Sequence, residues 1–119
     1  MPTLVVLFFL QILTNLDPKL QWTTPQTHDF GNVLRGQVVT YFFEYKNISN
    51  EPLVLDNVRT DCGCTASDWE ETPTETGKIG KINITFESSK IGYFKKKITV
   101  WIRGQRTPEK LSIEGEVVE

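Results

Sequence analysis

The sequence predicts an all-β protein, an antiparallel sandwich of about seven short strands. Three observations carry that expectation. Apolar residues recur at every second position, most cleanly at Ile82, Ile84 and Phe86, which is the period of a pleated strand and not of a helix. The same runs are rich in β-branched and aromatic residues, which suit a half-buried pleated surface and lose rotamer freedom in a helix. Asn, Ser, Gly and Pro punctuate the runs, as turns require.

Along the chain, Leu4 to Leu13 is an apolar run broken only by Gln11. It is too short to span a bilayer as a helix, which takes about 20 residues, but has the length of a signal-peptide core. Residues 1–16 are therefore read as a signal peptide or N-terminal apolar segment. A retained membrane anchor and a buried first element of the domain are the alternatives. Residues 17–27, with Pro18, Pro25 and no periodic apolar pattern, read as a linker. The domain proper is expected over 28–119.

Phe30 and Val33 open that domain. Val38 to Tyr45 is dense in β-branched and aromatic residues and reads as a strand, closed by the turn residues Asn47 to Pro52. Leu53 to Val58 follows as a strand that runs into Cys62 and Cys64. Thr65 to Gly80 reads as a long irregular stretch, locally negative through Asp68, Glu70, Glu71 and Glu75. Lys81 to Glu87 alternates cleanly. Tyr93 to Ile102 places Phe94, Ile98, Val100 and Ile102 on one face and Lys95, Lys97, Thr99 and Trp101 on the other. Lys96 breaks the pattern, which suits a rim position with a packed stem and a solvated ammonium. Leu111 to Val117 closes the sheet. Strands of this number and spacing, with no interior helix, imply an immunoglobulin-like sandwich.

The 119 residues suit one domain. Thirteen basic and fifteen acidic residues leave a formal charge of −2, without the broad positive field that nucleic-acid binding uses.

The segments His28-Asp29-Phe30-Gly31, Tyr45-Lys46-Asn47, Glu51-Pro52-Leu53, Asp61-Cys62-Gly63-Cys64-Thr65 and Ile113-x-Gly115, in this order and spacing, resemble the bacterial family called domain of unknown function 1573. The resemblance covers His28 to Val118. It implies an Ig-like fold akin to major sperm protein and an exported accessory protein, and it supplies no catalytic role.

Chemistry concentrates at the cysteine pair. On an extended strand Cys62 and Cys64 point the same way, and their Cα atoms stand near the upper limit for a bridge, so a disulfide needs a turn, which Gly63 permits. Three readings stay open: a structural bridge or packed thiols, redox exchange, and soft-metal binding with Cu(I) preferred to zinc. His28 and Asp29 are neighbours on a strand and face opposite ways, so they form no proton relay. The lysine run Lys95 to Lys97 is read as protection of a strand edge. Trp69 with Glu70 and Glu71 is the expected contact surface, a tryptophan closing the end of the core being the alternative. The sequence thus points to a non-enzymatic, cofactor-free interaction domain with a protein partner, outside the cytoplasm at the bacterial envelope. A thiol-based copper or redox module is the rival.

Overall fold

The computed structural model describes residues 18–119, so the N-terminal apolar segment at 1–16 lies outside the described residues. Eight strands follow in order: β1 (Leu20–Trp22), β2 (Thr27–Leu34), β3 (Val39–Asn47), β4 (Leu55–Thr60), β5 (Thr65–Trp69), β6 (Ile79–Phe86), β7 (Gly92–Ile102) and β8 (Glu109–Val118). They form two four-stranded sheets, ordered β1-β3-β6-β5 and β2-β8-β7-β4. Among the described residues there is no helix long and apolar enough to cross a membrane.

The alternating residues meet between the sheets. Phe43, Ile82 and Ile84 from one sheet, and Ile98, Val100 and Ile113 from the other, are fully buried. Each such side chain contributes about 1.5–3 kcal/mol relative to exposure. Register explains the layering: Phe43 stands opposite Ile82, Tyr41 opposite Ile84 and Ile98 opposite Leu111. Phe86 and Phe94 stack with centroids 4.0 Å apart.

Four expectations change. The stretch read as a linker contains β1, whose Leu20 is buried and whose residues pair antiparallel with β3. The irregular stretch after the cysteines begins with β5, which pairs antiparallel with β6. Among the described residues the count is therefore eight strands and not seven. The sandwich is also mixed, because β2 runs parallel to β8, from Thr27 opposite Ser112 to Leu34 opposite Val118. Alternation reports which face a residue takes, and is blind to the direction of the neighbouring strand.

Buried polar groups are few, and Asn47 is the main one. Its Nδ2 donates to the carbonyls of Glu51 and Thr74, both at 2.8 Å, and its Oδ1 accepts from the Ser49 N–H at 2.9 Å and the Ser49 hydroxyl at 2.7 Å. One amide thus ties the end of β3 to two loops with its hydrogen-bonding capacity used.

Candidate functional site

Two surface regions concentrate chemistry. The first is the connection of Asp61 to Cys64 between β4 and β5, where the chain leaves one sheet and enters the other. Cys62 and Cys64 are joined by a disulfide with Cα atoms 5.2 Å apart. The segment is a turn, not a continued strand, which brings the two residues into bridging range. The turn falls at Gly63, which does not take a left-handed conformation there.

Local hydrogen bonds fix this crossover. The Thr60 hydroxyl donates to the Thr65 carbonyl at 3.0 Å, and the Thr65 N–H donates to the Cys62 carbonyl at 3.2 Å. The Ser67 hydroxyl reaches back to the Val58 carbonyl at 3.1 Å. The backbone N–H of Asp61 donates to the Lys97 carbonyl and that of Glu87 to the Cys64 carbonyl, so each side of the turn is pinned to a different sheet. The Cys64 N–H points at the Cys62 Sγ, 3.1 Å away.

Both cysteines are half-buried and border a cavity of about 280 Å³ that also touches Phe86, Phe94, Lys90 and Lys96. Cys64 further borders a second cavity of about 380 Å³, beside Ala66, Glu87 and Ser88. Lys96 occupies the apolar parity of β7 between buried Phe94 and Ile98 and is half-buried, the rim position its break in the pattern predicts.

The second region is the outer face of the other sheet. Lys95 and Lys97 on β7 and Lys110 on β8 are exposed there around a shallow cavity of about 410 Å³, with Thr27 and Ser112 hydroxyls joined at 2.8 Å in its wall. None of these lysines pairs with a carboxylate within 4.0 Å among the described residues. Beyond them on the same face, the Arg59 guanidinium lies 5.9 Å from the Trp101 ring. Although β7 lies between β8 and β4, β4 pairs only with Ile98 to Ile102, so the Lys95–Lys97 stretch is paired in the ladder on the β8 side alone and its other side is the strand edge at which the lysine run is expected. Lys110 joins the group only through register, since it pairs with Thr99 while Ser112 pairs with Lys97. Nothing in the linear sequence announces that neighbourhood.

The other expected sites stand apart. Trp69 packs against the core and its buried Nε1 has no acceptor among the described residues, whereas Glu70 and Glu71 are exposed. His28 stacks on Tyr41 at 3.6 Å and meets the edge of Phe30 at 4.7 Å. Burial lowers its pKa below the ordinary 6.5, against the pull of Asp29 in the other direction. It is an aromatic packing residue in a wall of rings.

The family profile described as Protein of unknown function (DUF1573) matches residues 20–117. The chain belongs to this DUF1573 family. The match begins at β1, which places that strand inside the family domain. No curated protein matches the sequence. Among solved structures, a protein of unknown function from Porphyromonas gingivalis W83 is similar with TM-score 0.70 and 15% identity, over 82% of this chain and 46% of that one. The DUF1573 chain thus spans about half the length of that structure. The PapD-like domain 7 of human CEP192 is similar with TM-score 0.70 and 11% identity, over 87% and 88% of the two chains. A Caenorhabditis elegans MSP family member, WR4, gives TM-score 0.54 and 8% identity, over 86% and 100%. At these identities the likeness establishes the β-sandwich fold.

Proposed function

We propose that this DUF1573 domain is a non-catalytic, exported interaction module of the bacterial envelope that docks an acidic segment of another protein on its lysine-bearing sheet face. The observation that carries the reading is the cluster of Lys95, Lys97 and Lys110, three ammonium groups on the adjacent strands β7 and β8 with no carboxylate within 4.0 Å among the described residues, Glu114 standing opposite Lys95 in the ladder. Positive charge on a rigid sheet that is not tied up in close ion pairs offers complementarity to carboxylates and accelerates encounter. Trp101 and Arg59, residue types enriched at binding hot spots, adjoin it. The likeness to a PapD-like domain supports an interaction role through fold alone.

Soft-metal binding through the cysteines is the weaker reading. In the bridge each sulfur is bonded to the other, so thiolate ligands would arise only after reduction.

The test measures binding of poly-L-glutamate to the wild-type chain and to the Lys95→Glu/Lys97→Glu/Lys110→Glu variant across a salt series, with single-stranded DNA as comparator. Salt-sensitive binding of polyglutamate that the triple variant loses supports the docking face. Equal binding by both proteins, no binding at low salt, or preference for DNA rejects it. Fractionation of cells expressing the full chain tests export separately, and retention in the cytoplasm rejects the envelope assignment.

A further inference from the structure

We infer that the Cys62–Cys64 bridge is a thiol-exchange site at which an external dithiol attacks Cys64 and Cys62 departs as the thiolate. This is independent of the lysine-face reading and rests on where the bridge sits and what surrounds each sulfur.

Position makes the bridge reachable. It is half-exposed at a sheet-to-sheet crossover, and Cys64, packed against the core on its inner side, borders two cavities. A nucleophile must approach along the S–S axis from behind the sulfur it attacks, and Cys64 borders one cavity more than Cys62 does. Spacing also makes it poorly retained by chain entropy, because the closed loop holds only one intervening residue, Gly63.

The surroundings of the two sulfurs differ. The Cys64 N–H is directed at the Cys62 Sγ at 3.1 Å, a donor already in place to hold negative charge on that atom. Lys96 and Lys90 border the cavity shared by both cysteines and add positive potential that a thiolate on either sulfur would feel, against the neighbouring Asp61 carboxylate, so the difference between the sulfurs rests on the N–H. Among the described residues Cys64 Sγ has only the Thr65 hydroxyl at 3.7 Å, a weaker partner. Exchange proceeds faster when the better-stabilised thiolate is the leaving group, so attack falls on Cys64.

In the first step a partner thiolate forms a bond to Cys64 Sγ, the S–S bond breaks, and its electron pair leaves on Cys62, which then takes a proton. In the second step the partner's other thiolate attacks the partner sulfur of the mixed disulfide and releases Cys64 as thiolate, which is protonated in turn. The partner dithiol is oxidised to its disulfide and the domain gains two electrons and two protons. The reverse sequence reoxidises the domain. Because Asp61 and Glu87 tie the turn to opposite sheets, the rest of the fold keeps the two thiols close between cycles.

The experiment treats the oxidised full chain with limiting glutathione at neutral pH, quenches in acid, and maps the adduct by peptide mass spectrometry. The expected result is a mixed disulfide on Cys64 formed within minutes, with a reduction rate lowered roughly two- to fivefold in Lys96→Met, whose leaving thiolate is less well stabilised. A bridge untouched by glutathione over hours overturns the inference, as does an adduct on Cys62. The monothiol variants give a second measure, read as the pH dependence of alkylation by iodoacetamide. Cys62 in Cys64→Ser should react at lower pH than Cys64 in Cys62→Ser, and the opposite order sinks the assignment. A merely structural bridge would not produce this asymmetry.

Discussion

The ring of Tyr45 fills the space over Gly80 that a β-carbon would take. The two residues face each other across β3 and β6, and a Cβ on Gly80 would collide with the ring carbons Cζ and Cε2 and with the phenolic oxygen. The Tyr45 hydroxyl meanwhile holds Thr74 Oγ1 at 3.2 Å, so the ring cannot swing aside without giving up that contact.

Gly80→Ala should therefore destabilise the domain by about 1–3 kcal/mol, the usual cost of overpacking. Gly63→Ala is the contrast. Its added methyl meets nothing within 4 Å and its backbone is not left-handed, so stability should stay within about 0.5 kcal/mol of wild type. Urea denaturation of the two variants checks the pair, and equal losses would contradict the packing argument.

Asn47→Ala should be among the most damaging single changes, at about 2–4 kcal/mol. It removes four hydrogen bonds at a fully buried position and strands the Glu51 and Thr74 carbonyls away from the donor that satisfied them. Asn47→Asp should not rescue it, since a carboxylate presents acceptors to both carbonyls. Thermal unfolding monitored by circular dichroism provides the measurement.

Loss of the bridge should cost less. Cys62→Ser/Cys64→Ser opens a very short loop, for which chain entropy gives about 1.5 kcal/mol, and the Thr60 and Ser67 hydrogen bonds across β4 and β5 remain. A non-reducing denaturation curve of the double variant should retain cooperative unfolding. A molten, ANS-binding state would mean that the bridge organises the crossover.

His28 gives a pH dependence of definite sign. Its folded pKa lies below the ordinary value because burial disfavours the imidazolium, so the unfolded chain binds the proton more tightly. Its contribution is fully present above about pH 6.5 and declines as pH falls through the lowered folded value. The midpoint of thermal unfolding should drop on acidification in this window, and His28→Phe should flatten that drop. Carboxylate protonation acts at lower pH. An unchanged slope in the variant would remove His28 from the account.

The strands that alternate strictly were legible in the sequence, and β3, β6, β7 and β8 lie where period two and β-branched residues put them. Lys96 was legible for the same reason, because a lysine at apolar parity has few places to go other than the rim. β1 was hidden because three residues are too short to display a period, and Pro18 and Pro25 flank it. β5 was hidden because its inward positions, Thr65, Ser67 and Trp69, are mostly polar and small. Asn47 reads as a turn residue in the sequence, while its burial comes from two loops folding over it. The lysine face depends on the β7–β8 register, which is a long-range property. Asymmetry between the two sulfurs is equally invisible, since it hangs on where a single N–H points.

The parallel pairing of β2 with β8 has a mechanical consequence. Tension entering at the Thr27 end of β2 and leaving at the Val118 end of β8 drags the two strands past each other along their length, and the ladder from Thr27–Ser112 to Leu34–Val118 must yield together instead of unzipping bond by bond. Once the short β1 has peeled away, the domain should resist stretching as a sheared clamp.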